Sequence, residues 1–233
     1  MSPGGNQQRN RTPWNGREAT DGAGDATDVL VPGAQRSAES LHIPYDIVAV
    51  AASAGGLTAL GRLLGGLPED FPATIVVVQH LDPRHHSLMA EILSRRTGLR
   101  VREAKEGDSL HPHTVYIAPP DYHLLVNRDG TLSLSHSELV HFLRPSADLL
   151  FESVAASFKE RAIAVVLTGT GSDGAMGVQA IKKMGGTVIA QDEGTSEFFG
   201  MPGAAIKTQD VDFILPLDEV ADALVTLMKG EAR

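Results

Sequence analysis

The sequence predicts an α/β fold, a doubly wound and mostly parallel sheet with helices on both faces and one small antiparallel hairpin. Short, continuous apolar runs alternate along the chain with segments whose apolar residues recur every three or four positions. This alternation is typical of fully buried strands joined by amphipathic helices. The 233 residues are also 42% hydrophobic, which suits a sheet that is covered on both sides.

The first half of the predicted domain contains strands, helices and the hairpin. Continuous apolar runs predict strands at 47–51, 73–78 and 115–118. The helix after the first strand has an apolar face formed by Leu57, Leu60, Leu63, Leu64 and Leu67. A second helix is predicted around Leu88, Met89, Ile92 and Leu93. The segments 123–126 and 131–135 flank a turn that ends in Gly130, which favours a hairpin.

The second half continues the same alternation. A helix around Leu150, Val154 and Phe158 precedes a predicted strand at 162–167. A helix at 175–184 and strands at 187–191 and 213–215 follow, and the last helix carries Val220, Leu224, Leu227 and Met228. Because no internal repeat or linker divides this part of the sequence, we predict a single domain over residues 41–230.

Residues 1–40 are predicted to form a disordered tail. They are rich in Gly, Ser, Thr, Asn, Asp and Arg, and they show neither a helical nor an alternating apolar period. Such a segment cannot bury enough apolar surface to offset the entropy that is lost on ordering. An ordered arm that docks on a partner is the alternative interpretation.

Composition excludes several classes of protein. The sequence has no cysteine, which excludes disulfides, a cysteine nucleophile and thiolate metal sites. Its 20 Lys and Arg against 29 Asp and Glu give a net charge of -9, which disfavours binding to nucleic acid. No apolar run approaches the roughly 18 residues of a membrane span, and no secretory signal follows the first residues. We therefore expect a cytoplasmic protein that neither inserts into a membrane nor binds nucleic acid.

Three polar residues that can cooperate in nucleophilic catalysis follow predicted strands: Ser53, His80 and Asp173. In a parallel sheet the carboxyl ends of the strands meet at one edge, where ligands bind. A serine hydroxyl needs an imidazole to take its proton, and the imidazole needs a carboxylate to fix its tautomer and stabilise its charged form. Ser53 also precedes a helix, whose free N–H groups favour a developing oxyanion. The pattern predicts a Ser-His-Asp triad.

Each of these residues also has a structural alternative. Ser53 could cap the helix that follows it, and Asp173 could cap the helix that starts near Ala175. His80 could be a histidine with satisfied hydrogen bonds at the entrance of a loop. Spacing alone leaves these alternatives open.

A competing motif lies on the same segment as Asp173. Gly169, Gly171 and Gly174 form a G-x-G-x-x-G pattern between a strand and a helix, and Asp192 follows the next strand, as in dinucleotide-binding domains. However, the Asp173 carboxylate would repel a phosphate and compete for the same N–H groups. The motif also lies late in the domain. A Rossmann-type nucleotide-binding domain is therefore the less favoured alternative.

No metal site is predicted from the histidines. His85-His86, and His111 with His113, are near neighbours in the sequence. No set of carboxylates accompanies them at the spacing of metal ligands. We interpret these side chains as solvated.

Six segments give the chain a resemblance to a known family. In order they are Ala52-Ser53-Ala54-Gly55-Gly56, Val78-Gln79-His80, Val115-Tyr116-Ile117-Ala118-Pro119, Arg144-Pro145-Ser146-Ala147-Asp148, Leu167-Thr168-Gly169-Thr170-Gly171-Ser172-Asp173-Gly174 and Gly200-Met201-Pro202. Over residues 45–229 the chain resembles the protein-glutamate methylesterases of bacterial chemotaxis (CheB-type). The resemblance implies that Ser53, His80 and Asp173 are catalytic and that no metal or organic cofactor is needed. It also implies a substrate, the methylated glutamates (and some glutamines) on helices of methyl-accepting chemoreceptors.

The resemblance further implies an oxyanion and pocket region, with the candidate residues Ala54, Gly55, Gly56, Thr170 and Gly171. Two of these depart from the family's pattern, since Thr170 stands where Met is usual and Ala54 where Thr is common. A backbone role at position 170 would tolerate Thr, whereas a side-chain role would change rate or specificity. A catalytically weak signalling or scaffold module of the same fold is therefore the other alternative.

Family members usually carry an N-terminal receiver domain whose phosphorylation relieves inhibition. Forty tail residues are too few for such a domain, so we expect a stand-alone domain, a fragment, or a domain regulated in trans by a phosphorelay protein. Five arginines could either face acidic receptor helices or be solvated: Arg84, Arg95, Arg96, Arg100 and Arg102.

Overall fold

The structure is a computed structural model that describes residues 45–80 and 87–230. In chain order the elements are β1 (Ile47–Ala52), α1 (Gly56–Gly66), β2 (Thr74–Gln79), α2 (Met89–Ser94), β3 (Arg100–Glu103), β4 (Thr114–Ile117), β5 (His123–Val126), β6 (Leu132–Ser135), α3 (Ala147–Phe158), β7 (Ala162–Val166), α4 (Ala175–Lys183), β8 (Thr187–Gln191), α5 (Gly200–Lys207), β9 (Phe213–Leu215) and α6 (Leu217–Met228). The predicted tail at 1–40, Arg84 and His85-His86 lie outside the described residues.

Seven strands form one parallel sheet in the order β3-β4-β2-β1-β7-β8-β9, and β5 pairs with β6 in a separate antiparallel sheet. Helices pack on both faces of the large sheet. The predicted α/β class, the doubly wound arrangement and the hairpin are confirmed. Among the helices of the described ranges, none is both long enough and apolar enough to cross a membrane.

The core lies on both faces of the sheet, because alternate residues of a strand point to opposite sides. On β1, Val48 and Val50 pack with the apolar faces of α1 and α6. Ile47, Ala49 and Ala51 pack with α3 and α4 on the other face. Every residue of β1 is buried, which explains why the sequence shows a continuous apolar run there.

Replacing Leu60 by alanine should lower the free energy of unfolding by about 2–5 kcal/mol. Leu60 lies on the buried face of α1 with 0% exposure, so its truncation removes apolar contacts and leaves a cavity. Urea unfolding measures the change. Leu139→Ala is the matched control at a side chain that is 53% exposed, and it should change stability by less than about 0.5 kcal/mol. Equal losses in the two variants would contradict this packing.

Two elements were not predicted from the sequence. β3 contains a single strongly apolar residue, Val101, and lies at the edge of the sheet, so it shows no continuous apolar run. α5 begins with Gly200-Met201-Pro202, a sequence that is typical of a turn. Proline is nevertheless tolerated in the first turn of a helix, where its missing N–H would have no helical partner.

The central position of β1 between β2 and β7 brings the strand ends of interest together. Ala52, the last residue of β1, pairs with Gln79, the last residue of β2. Ser53 and His80 therefore leave neighbouring strands side by side, at the usual spacing of about 4.8 Å. The N–H of Ser53 donates to the Thr168 carbonyl at 3.0 Å, which joins the same edge to the segment after β7.

Candidate active site

Ser53 directly follows β1 and is half-buried at the carboxyl edge of the sheet. The N-cap of α1 is Gly55, whose φ of 76° lies in the left-handed region that glycine adopts without strain. The N–H of Gly56 donates to the Ser53 carbonyl at 2.8 Å and closes the turn between strand and helix. Ser53 is therefore not the N-cap of α1, and its hydroxyl has no capping role there.

His80 and Asp173 are joined by a hydrogen bond of 2.8 Å between Nε2 and Oδ2. The side chain of His80 is 10% exposed and that of Asp173 is 0% exposed. A carboxylate at this nitrogen holds the ring proton on Nε2, so Nδ1 is the nitrogen that can accept a proton. The structure thus brings the predicted base and acid into direct contact.

The Asp173 carboxylate also caps α3. Its Oδ2 accepts the N–H of Ala147 at 2.6 Å, and its Oδ1 accepts the Ser146 hydroxyl at 2.9 Å and the N–H of Asp148 at 3.2 Å. These N–H groups belong to the first turn of α3, where no helical partner is available to them. Asp173 therefore does cap a helix, but the helix is α3 and not the one that begins at Ala175.

These contacts determine the ionisation of Asp173. Burial raises the pKa of its carboxyl, but the hydrogen bonds from His80 and from the N–H groups of Ala147 and Asp148 outweigh that effect and leave the pKa below its ordinary value. The positive end of the α3 dipole acts in the same direction. Asp173 is consequently ionised at neutral pH.

Asp148, in the first turn of α3, caps α4 in return. Its Oδ1 accepts the N–H of Gly174 at 2.9 Å and the N–H of Gly177 at 2.8 Å. Burial raises the pKa of the Asp148 carboxyl, and the charge of Asp173 adds to the rise. Each helix is thus capped by a carboxylate from the start of the other, so the turn that carries Asp173 is held from both sides.

His123 fixes the position of Ser146. Its Nδ1 accepts the Ser146 N–H at 3.1 Å, and its Nε2 donates to the Glu138 carbonyl at 3.1 Å. The side chain is fully buried, and this burial lowers the pKa of the ring, so His123 is neutral. Ser146, which donates to the Asp173 carboxylate, is therefore itself supported by a buried histidine.

Sequence reasoning missed Ser146, Asp148 and His123. The first two did carry a signal, because a serine followed by an acidic residue just before an apolar helical pattern is typical of a helix N-terminus. That signal marks a cap and does not reveal that the cap's partner is Asp173. No pattern in the sequence marks His123.

The Ser53 hydroxyl makes no hydrogen bond to the His80 ring within the described part of the chain. The two residues nevertheless follow paired positions of adjacent strands. Gly169 lies on the other side of Ser53, since a Cβ at Gly169 would overlap the sulfur of Met201 and lie 2.8 Å from the Ser53 Cβ. A glycine at 169 therefore provides the space that the serine side chain occupies.

The predicted oxyanion and pocket residues lie on two turns at this edge. Ala54 and Gly55 follow the candidate nucleophile, and Thr170 and Gly171 are exposed on the segment after β7. Gly56 differs from the others, because its N–H already donates to a backbone carbonyl. That N–H is not available to an oxyanion while this bond is kept.

The glycine-rich segment does not favour a bound dinucleotide. The Asp173 carboxylate lies within it and is already bonded to His80 and to α3. Asp192, the candidate ribose-binding acid, instead accepts the N–H of Thr195 at 3.0 Å and the hydroxyl of the same residue at 2.5 Å. Among residues 45–80 and 87–230, no group of three His, Asp or Glu side chains is placed to hold a metal ion.

Counting only contacts between described residues, two of these arginines form ion pairs with neighbouring side chains. Arg95 pairs with Glu91 on the surface of α2. Arg102 pairs with Asp108 at 2.8 Å, and its guanidinium lies 5.7 Å from the centre of the Tyr116 ring. These two arginines are part of local ion pairs, which favours the solvated-surface interpretation for them.

Comparison with known proteins identifies the family of the chain. The family described as CheB methylesterase matches residues 48–224, a range that includes Ser53, His80 and Asp173. The chain belongs to this family. The resemblance that the six sequence segments indicated is therefore confirmed.

Relatives and a solved structure of the family cover most of the chain. A Methanosarcina mazei protein named protein-glutamate methylesterase/protein-glutamine glutaminase 2 is 41% identical over 191 residues, 79% of this chain and 52% of that relative. A Leptospira interrogans protein with the name putative protein-glutamate methylesterase/protein-glutamine glutaminase is 39% identical over 183 residues, 78% of this chain and 95% of that relative. The crystal structure of the Thermotoga maritima CheB methylesterase catalytic domain matches with a TM-score of 0.76 at 38% identity, covering 78% of this chain and 98% of that one. The chain thus spans about half the length of the Methanosarcina relative.

Acid should destabilise the protein in part through Asp173. In the unfolded chain this carboxyl takes up a proton near its ordinary pKa of 3.8, whereas in the folded protein it stays ionised to a lower pH. Below about pH 4 the unfolded state therefore binds more protons, and the free energy of unfolding falls until the pH passes the folded pKa. Asp173→Asn cannot titrate here and should show a shallower fall in urea unfolding between about pH 2.5 and 7. Parallel curves for the two proteins would contradict the lowered pKa.

Proposed function

We propose that the protein is a serine hydrolase that demethylates glutamate methyl esters, and deamidates glutamines, on chemoreceptor helices. The observation that carries the proposal is the 2.8 Å hydrogen bond between His80 Nε2 and Asp173 Oδ2, with a serine directly after the neighbouring strand. The names of the relatives, protein-glutamate methylesterase/protein-glutamine glutaminase, supply the substrate class.

The reaction begins with proton transfer from Ser53 to His80. Because Nε2 of the ring is bonded to Asp173, the accepting atom is Nδ1, which closes on the Ser53 hydroxyl when the ester is bound. The serine oxygen then attacks the γ-carbonyl carbon of the glutamate methyl ester. The product of this step is a tetrahedral intermediate with a negative charge on the former carbonyl oxygen.

Asp173 remains ionised throughout the reaction. Its lowered pKa keeps the carboxylate charged, so it stabilises the imidazolium that forms on His80. The bonds from Ser146 and from the first turn of α3 hold this carboxylate in one orientation. Asp173 therefore orients the base and does not itself take the proton.

The oxyanion is stabilised by backbone N–H groups of the two turns beside Ser53. We assign this role to Ala54, directly after the nucleophile, and to the turn of Thr170 and Gly171. Gly56 is left out because its N–H is bonded to the Ser53 carbonyl. Since backbone donors act regardless of the side chain, Thr170 can stand where the family usually has Met.

The acyl-enzyme forms when His80 returns its proton to the leaving group. Methanol leaves from a methyl ester, and ammonia leaves from a glutamine amide. Water then attacks the acyl carbon by the same route, with His80 as the base, and releases a glutamate carboxylate. This sequence of steps requires no metal or organic cofactor.

Two assays on the wild-type chain test the proposal. Methanol release is measured from chemoreceptor cytoplasmic domains that carry glutamate methyl esters, and a fluorophosphonate probe reports whether Ser53 is reactive. We expect both methanol release and labelling at Ser53. A protein that does neither, under conditions in which a known relative does both, would support the alternative of an inactive signalling or scaffold module.

A further inference from the structure

Gln79 contacts the backbone of both the proposed nucleophile and the proposed base. It is the last residue of β2 and is 5% exposed. Its Nε2 donates to the Ser53 carbonyl at 2.7 Å and to the His80 carbonyl at 3.2 Å. A single side-chain amide therefore joins the two strand ends that carry the hydroxyl and the imidazole.

The orientation of this amide is fixed by its partners. Both partners are carbonyl oxygens, which only accept hydrogen bonds, so the nitrogen and not the oxygen must face them. The Gln79 Oε1 is buried and has no hydrogen-bond partner among the described residues. A buried acceptor without a partner costs stability, and an apolar side chain would avoid that cost. The hydrogen bonds of the amide nitrogen must offset the cost of this unpartnered oxygen.

Gly56 provides the room that the amide occupies. A Cβ at this position would overlap the Gln79 Oε1 and lie 2.9 Å from its Cδ and 2.8 Å from the Ala52 Cβ. Gly56 is not among the glycines with positive φ, so its backbone conformation is open to alanine. The requirement for glycine here comes from the neighbouring amide and strand.

We propose that Gln79 is a positioning residue that ties the carbonyls of Ser53 and His80 together and so sets the spacing of nucleophile and base. The roles of Ser53 and His80 rest on the proposed function. A serine and its base must approach within hydrogen-bond distance, and a displacement of about 1 Å can cost on the order of 100-fold in rate. Because the amide acts on the backbone, it limits the movement of both residues at once.

Gln79→Met is the direct test, because methionine keeps the length of the side chain and lacks the N–H donors. We expect kcat for methanol release to fall by about 10- to 100-fold with little change in KM, since the loss concerns geometry between catalytic groups. The rate of fluorophosphonate labelling at Ser53 should fall by the same factor. Labelling needs a reactive serine and no receptor, so it remains informative whatever the natural substrate is.

Gly56→Ala is the second test and leaves the amide itself in the sequence. Its methyl group should push the amide off the two carbonyls and reproduce the loss in kcat and in labelling. Gly61→Ala, on the same helix, is the matched control: the three atoms nearest to a Cβ at Gly61 all belong to the side chain of Arg96, with Nη1 at 2.6 Å and Cδ at 2.9 Å. That flexible side chain can turn away, so activity should stay at the wild-type level.

The double variant Gln79→Met/Gly56→Ala separates positioning from general damage. If both changes act through the same amide, the double variant should lose no more activity than the more affected single variant. Losses that add in full would overturn the proposal, as would Gln79→Met labelling within about twofold of wild type. If Gln79→Met does not fold, as judged from its melting temperature, the labelling rates of Gly56→Ala and Gly61→Ala are compared instead. Equal rates in these two variants would overturn the proposed role of Gln79.

The two assays distinguish a failure of the proposed function from a failure of the proposed role of Gln79. Wild-type protein that labels at Ser53 and releases no methanol would remove the methylesterase activity, and the labelling series would still decide the role of Gln79. Wild-type protein that does neither would overturn both proposals.

Discussion

Replacing Ser53 by alanine should reduce methanol release by about 10⁶-fold, the order seen when the serine of such a triad is removed. The hydroxyl oxygen forms the bond to the acyl carbon, and alanine offers no atom that can take its place. Fluorophosphonate labelling should disappear as well. Because Ser53 is half-buried and its hydroxyl caps no helix, the variant should fold with a melting temperature close to that of the wild type.

Ser94→Ala is the matched control for this change. Ser94 ends α2, is exposed, and donates its hydroxyl to the Glu91 carbonyl within its own helix. The control should release methanol at the wild-type rate. Equal methanol release from Ser53→Ala and the wild type would end the proposal that this serine is the nucleophile.

Replacing Asp173 by asparagine should reduce kcat by about 10⁴-fold. An asparagine can point an NH₂ group at His80 Nε2, which would force the ring proton onto Nδ1, the atom that must accept the serine proton. It also removes the charge that stabilises the imidazolium. The loss should be smaller than for Ser53→Ala, because the nucleophile is still present.

Asp192→Asn is the control for the second prediction. Asp192 is another acid that follows a strand at the same edge, but its carboxylate bonds to Thr195 and not to the triad candidates. Its kcat should stay within about threefold of wild type, because its carboxylate bonds to none of the three candidate residues. A large loss in Asp192→Asn together with an unaffected Asp173→Asn would show that the acid has been assigned to the wrong residue.

The placement of Ser53, His80 and Asp173 after strands of one sheet could be predicted from local patterns. Continuous apolar runs identify buried parallel strands, and Ser53 and His80 come directly after two of them. The order β2-β1-β7 then makes these strand ends neighbours. The hypothesis of a triad then follows from the residue types alone, because serine, imidazole and carboxylate are the groups that such a triad combines.

The support of the site could not be predicted in the same way. Ser146 and Asp173 are 27 residues apart, and the bond between them depends on how α3 and α4 pack. Gln79 ends an apolar run. A polar residue at the end of a strand is common, so its type alone does not indicate a role. Only the register of β1 and β2 reveals that its donor reaches two carbonyls on different strand ends. Contacts of this kind leave no periodic signature in one sequence.

The exchange of caps between α3 and α4 has a consequence for proteins that share this fold and have lost turnover. Asp173 anchors the start of a helix as well as orienting a base, so relaxed selection on chemistry would still preserve it. The side chain of Ser53 has no comparable structural role, because it does not cap α1. We expect an inactive relative to lose the serine early and to keep the aspartate for its structural role. The aspartate alone is therefore a poor indicator of an active enzyme.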